Sequence, residues 1–125
     1  MNPTPAQLAS QAAEAVRSLN HATITVGEGW EYAPQAYQVL GQLAHLARML
    51  PQAVEQTLLP AQNTHQDGWL TVDGGGAPDR AIKHLGDAVR TAVQAAELLA
   101  AALDHAHVAA SPLGVDTLGL PGFDD

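Results

Sequence analysis

Apolar residues mark out three helical stretches. The last is the most regular: Ile82, Leu85, Val89, Ala92, Ala96, Leu99, Leu103, Ala106 and Ala110 recur at gaps alternating three and four. That spacing is the heptad seam of a helix packing lengthwise on other helices. It predicts a helix over about 79–110, roughly 48 Å long at 1.5 Å per residue. Earlier in the chain, Leu8, Ala12, Ala15, Leu19 and Ala22 form a similar stripe. Thr4-Pro5 supplies a start, because proline at the first helical position loses no hydrogen bond. A first helix over about 4–22 follows, ending where Thr23-Ile24-Thr25-Val26-Gly27 turns β-branched and closes on glycine.

Between these, Ala36, Leu40, Leu43, Ala47, Leu50, Val54 and Leu58 share one stripe, which Val39, Leu46 and Met49 widen. A face that wide predicts a central helix touching more than one neighbour, over about 34–62. Pro51 falls inside it and predicts a kink, since the stripe keeps its phase across the proline. Pro60 and Asn63 mark its end. Residues 64–78 form the longest interruption, with Asp67-Gly68 as a turn signal and Gly74-Gly75-Gly76 as a hinge. Thr23–Val26 and Trp69–Val72 have strand-like composition and could pair as a two-stranded ribbon; the plainer reading makes both loop, with Trp69 covering a bundle end. The expected fold is all-α: an antiparallel three-helix up-down-up bundle over residues 1–111 with a long, overhanging C-terminal helix. A Gly/Pro-rich tail, 112–125, follows. Its Leu113, Val115, Leu118, Leu120 and Phe123 suggest partial docking in an apolar groove.

Composition adds a constraint on packing. Hydrophobic residues make up 46 % of the 125 positions but aromatics only 4 %. Alanine favours helix while burying little area, so the core is thin and self-association is expected, with the third helix completing a four-helix or larger bundle as a homodimer. The assembly seam on this reading is Ile82, Leu85, Val89, Ala92, Ala96, Leu99, Leu103 and Ala106.

Charge narrows the partners. Five Lys and Arg stand against thirteen Asp and Glu, a formal net charge of −8. The cations are scattered singly, at Arg17, Arg48, Arg80, Lys83 and Arg90, too sparse to replace phosphate counterions, so direct nucleic-acid binding is not expected. With no cysteine, disulfides and thiolate chemistry are ruled out. The N-terminus lacks the basic and apolar pattern of a signal peptide, and no run approaches the roughly 18 apolar residues of a membrane span. A cytoplasmic protein is the expectation.

Candidate chemistry is sparse, and neither an enzyme nor a cofactor is expected. His105 and His107 point about 200° apart on a helix and do not share one ion. His84 with Asp87, and Asp104 with His107, have ligand-compatible spacing, but such pairs are common on polar helix faces. His21 and His45 stand on largely apolar helices and read as buried, hydrogen-bonded histidines. No Glu-x-x-His pair is present for a carboxylate metal bundle. Gly74-Gly75-Gly76 lacks the Lys-Ser/Thr of a phosphate loop. Trp30, Tyr32 and Trp69 concentrate aromatic area outside the helices. They either cap the bundle ends or form a recognition patch for a protein partner.

Three resemblances accompany this reading. Residues 13–56, AEAVRSLNHATI and then EYAPQAYQVLGQLAHLARMLPQAVEQ, resemble small uncharacterised helical proteins of high-GC actinobacteria. Ala15, Val16, Arg17, Leu19, Asn20, His21, Tyr37, Leu40, Leu43, Leu50, Pro51 and Gln52 carry that likeness. It implies an accessory protein of a mobile or plasmid-type element, with no activity attached. Gly29-Trp30-Glu31, between the first two helices, resembles the Trp-x-Gly turn of WXG100 secreted substrates, short acidic hairpins that dimerise. Here the order of Trp and Gly is reversed, and a further helix follows. Arg80-Ala-Ile-Lys83-His84 resembles the arginine-to-histidine spacing of helical HEPN-class ribonucleases, with only three residues intervening, fewer than that motif usually has; the resemblance would imply a ribonuclease. A metal-binding or hydrolytic helical domain dependent on His84 or His107 is a separate alternative.

Overall fold

A computed structural model describes residues 2–116 and residue 118, and these are all-helical apart from turns and loops. The helices are α1 (Pro5–Ala22), α2 (Ala33–Gln56), α3 (Leu58–Gln66) and α4 (Pro78–Ala110). Two compact units divide the chain, Met1–Ala36 with Leu113–Asp125, and Tyr37–Pro112.

In the first unit, α1 begins with a reciprocal cap. The Gln7 N–H donates to Thr4 Oγ1 at 3.2 Å and the Thr4 N–H to Gln7 Oε1 at 2.8 Å, with Pro5 in the first turn. Two donors that the helix leaves unpaired are thereby satisfied. The helix ends at Thr23, whose N–H and hydroxyl both donate to the Leu19 carbonyl. No residue of α1 is buried, and Leu8 and Val16 on its apolar side are exposed. Histidine 21 is exposed as well, which overturns its reading as a buried histidine. Neither Thr23–Val26 nor Trp69–Val72 forms a strand. Among the described residues the one β-bridge is Gly27 with Trp30, inside a tight turn.

The second unit is a helical hairpin. Tyr37 on α2 stacks on His107 near the end of α4, with ring centroids 4.3 Å apart. Arg48 pairs with Asp104 at 2.6 Å. Further along, α3 packs on α4, and His65 at its end meets Asp79 in the first turn of α4 at 2.8 Å. The partners descend on α4 as they ascend on α2 and α3, so the two sides run antiparallel. These contacts reach from Asp79 to His107, and α4 does not overhang its partners in this unit. The buried core is Ala44, Ala47, Val89 and Ala100, the thin alanine core that the composition requires.

The expected second helix is two helices, not one. Pro51 lies within α2, which runs on to Gln56. The interruption falls at Thr57, whose N–H and hydroxyl both donate to the Val54 carbonyl. Pro60 is the cause: it has no N–H for the Gln56 carbonyl, and its ring crowds that carbonyl. In α3 the same proline occupies the first turn, where a missing N–H is harmless, so it starts a helix that continues through Asn63 to Gln66.

On α4 the covered positions are Ile82, Gly86, Val89, Val93, Ala96, Ala100, Leu103 and His107, all buried or half-buried. They repeat at four and three. The expected seam shares Ile82, Val89, Ala96 and Leu103 with this set. Its alternate rungs Leu85, Ala92 and Leu99 are exposed, and Ala106 is half-buried. The face turned to α2 and α3 is thus displaced by one residue at every second rung. In the tail Leu113, Val115 and Leu118 are exposed rather than docked, while Leu120 and Phe123 lie outside the described residues.

Candidate functional site

Two surfaces merit attention, one in each unit. On α4, Leu85, Ala88, Ala92, Ala95, Leu99 and Ala102 are exposed and follow one another at three and four. This second heptad line contains no charge, and its two leucines are 38 % and 48 % exposed. It borders the covered face, so the apolar arc of α4 is wider than α2 and α3 conceal. On the polar side of α4, Lys83 and Arg90 each contact Asp87 at 3.2 Å. The Lys83 hydrogen bond and charge, followed by the charge of Arg90, hold the Asp87 carboxyl below the usual carboxylate range.

In the first unit, the turn Gly27–Trp30 is closed by two hydrogen bonds, Trp30 N–H to the Gly27 carbonyl at 2.8 Å and Gly27 N–H to the Trp30 carbonyl at 3.1 Å. Gly29 has φ 80°, a conformation that favours glycine. The Gln35 side chain accepts from the N–H groups of Glu31 and Tyr32 and fixes the entry into α2. The result is a shallow cleft of about 220 Å³ lined by Val26, Trp30, Glu31, Tyr32, Ala33 and Ala36. Trp30 and Tyr32 are half-buried, while Ile24 and Val26 stand exposed beside the turn. Trp69 belongs to the other unit, where it is 77 % exposed and covers no helix end. Of the three expected aromatic residues, the cleft includes two.

The histidines are dispersed. His45, expected to be buried, is exposed, as are His84 and His105. His107 is half-buried between Tyr37 and Gly41; a Cβ on Gly41 would stand 2.9 Å from its Nε2. Asp104, the candidate co-ligand of His107, is held by Arg48, and Asp87, the candidate co-ligand of His84, by Lys83 and Arg90. Among the described residues no group of three or more His, Asp or Glu is placed to hold a metal ion. No described helix is long and apolar enough to cross a membrane. Sequence reasoning missed the His65–Asp79 pair, which spans a loop, and the Tyr37–His107 stack. The one available signal for the stack was a glycine, Gly41, four residues along α2 from Tyr37.

Among the clefts of the second unit, one lies at the level of the Thr57 break. It measures about 220 Å³ and is lined from α2 and α3 by Glu55, Leu58 and Gln62, and from α4 by Gly86, Val89, Arg90 and Val93. Gly86 leaves it open: a Cβ there would meet nothing within 4 Å. In a helix interior glycine is less stable than alanine by about 0.5–1 kcal/mol, and here no close approach requires it. No family model, no curated protein and no solved structure matches this chain.

Proposed function

We propose that this is a non-enzymatic interaction protein that assembles with a second copy of itself through α4, and that the Trp30/Tyr32 cleft meets a protein partner. The observation that carries the reading is the uncovered line Leu85, Ala88, Ala92, Ala95, Leu99, Ala102. A charge-free heptad line on a helix whose other apolar side is already covered has the geometry of a helix-pairing surface. Its alanines would allow axes to approach at the short end of the 8–10 Å range. The net charge of −8 favours a protein partner over nucleic acid. The likeness of residues 13–56 to small actinobacterial helical proteins supports an accessory role in a mobile element.

Light scattering over a concentration series tests assembly. The expected result is twice the chain mass at high concentration, with Leu99→Asp holding the protein at single-chain mass and leaving its circular dichroism unchanged. A single-chain mass at every concentration overturns the reading.

A further inference from the structure

We propose that the cleft between α3 and α4 binds a free α-amino acid with a short, branched apolar side chain. Three features of the cleft converge on that ligand. Its apolar lining is Val89, which is buried, with Leu58 and Val93, which are half-buried. Its lining carries both signs of charge, Glu55 from α2 and Arg90 from α4. It includes Gly86 of α4, where a side chain would meet nothing within 4 Å.

Gly41 shows what packing alone does with a helical glycine. There His107 fills the space, 2.9 Å from where a Cβ would stand. At Gly86 the space is left to solvent, although alanine would suit the helix better. An inward glycine with nothing against it is accounted for when the void is the useful part.

The charges select the head group. Arg90 gives an N–H to Asp87 at 3.2 Å and retains further donors of its guanidinium fork for a carboxylate. Glu55 makes no hydrogen bond or ion pair among the described residues and accepts from an ammonium group. A carboxylate alone would leave Glu55 unpaired, and an ammonium alone would leave the spare donors of Arg90 unused. A zwitterion matches both, with Gln62 beside it as a neutral hydrogen-bonding group.

The volume selects the side chain. A cavity of about 150 Å³ accepts benzene, and drug-sized ligands take about 300–1,000 Å³. At about 220 Å³ this cleft suits a leucine or isoleucine with its head group at the rim. The site is open and its charged residues are exposed, so binding is weak, with a dissociation constant on the order of 1 mM.

Titration of the ¹⁵N-labelled protein with L-leucine, followed by amide NMR, tests the assignment. Saturating shifts are expected at the amides of Leu58, Gly86 and Val93. 4-Methylpentanoate and isoamylamine, which each lack one charge, should bind at least several-fold more weakly, as should Glu55→Gln and Arg90→Gln with leucine itself. Gly86→Leu should abolish the shifts. Gly86→Ala, which keeps the fold and melts higher, should weaken them. Absence of saturable shifts, equal binding of the singly charged analogues, or undiminished binding by Gly86→Ala overturns the proposal. The readout does not depend on oligomeric state, so it stands or falls apart from assembly through α4.

Discussion

Gly41 and Gly86 are both helix-interior glycines, and the space beside them is used oppositely: filled at Gly41 and open at Gly86. Gly41 permits contact: the His107 ring, stacked on Tyr37, occupies the place of its missing side chain. Valine at this position must displace the ring, so Gly41→Val should lower stability by about 1–3 kcal/mol, the usual cost of overpacking. A thermal melt measures this, and adding His107→Ala should recover part of the loss. If the single variant melts like the parent, the close approach is not a determinant of packing. Asp87 is a residue whose pKa is lowered by its neighbours. Its lowered pKa means that it adds stability above its unfolded-state value, lost as pH falls through the lower folded value. Lys83→Gln removes the largest cause. In a carboxyl-carbon NMR titration Asp87 should then titrate at higher pH, nearer the ordinary carboxylate range.

At the scale of elements, α4 shows how much was legible beforehand. Its existence, its length and its rungs Ile82, Val89, Ala96 and Leu103 follow from apolar spacing alone. The rungs between them do not. Leu85, Ala92 and Leu99 compete with Gly86, Val93 and Ala100 one residue on, and both choices keep a three-four repeat. Hydrophobicity favours the leucines, yet the leucines face outward. The choice depends on contacts from far along the chain, above all the seat that Tyr37 and Gly41 make for His107. The Thr57 break was legible locally, because the residue four before Pro60 is Gln56, the last of α2. The aromatic cleft was half legible. The Gly27–Trp30 turn brings Trp30 and Tyr32 to one cleft, but no local pattern says that Trp69 stays exposed. The inward and outward rungs also make distinct predictions for α4. Ala96→Leu enlarges a half-buried rung and should lower the melting temperature at any concentration. Leu99→Asp should act on mass alone. Equal effects of the two variants on folding would mean that α4 has no separate outer face.

The whole molecule combines a thin core with a large charge. Among the described residues four are buried, three of them alanine, and with a net charge of −8 this leaves little margin for bringing two copies together. Like charges repel over about 10 Å at 0.1 M salt, and added salt shortens that range. Association through the neutral line on α4 should therefore strengthen as sodium chloride rises, with the dimer population growing in sedimentation velocity. Weakening with salt would point instead to an ionic interface.

The His65–Asp79 pair joins α3 to α4 independently of the loop between them. Between the ends of α3 and α4 lie residues 67–77, a turn-rich span in which Gly68, Gly74 and Gly75 have positive φ. The helices at either end already hold each other, by the packing of α3 on α4 and by the 2.8 Å contact at their junction. The intervening backbone, of which Leu70 and Val72 are half-buried, thus acts chiefly as a tether that raises the local concentration of one helix near the other. A single peptide-bond cut between Gly74 and Gly75 should leave the two fragments co-eluting as one particle under native conditions.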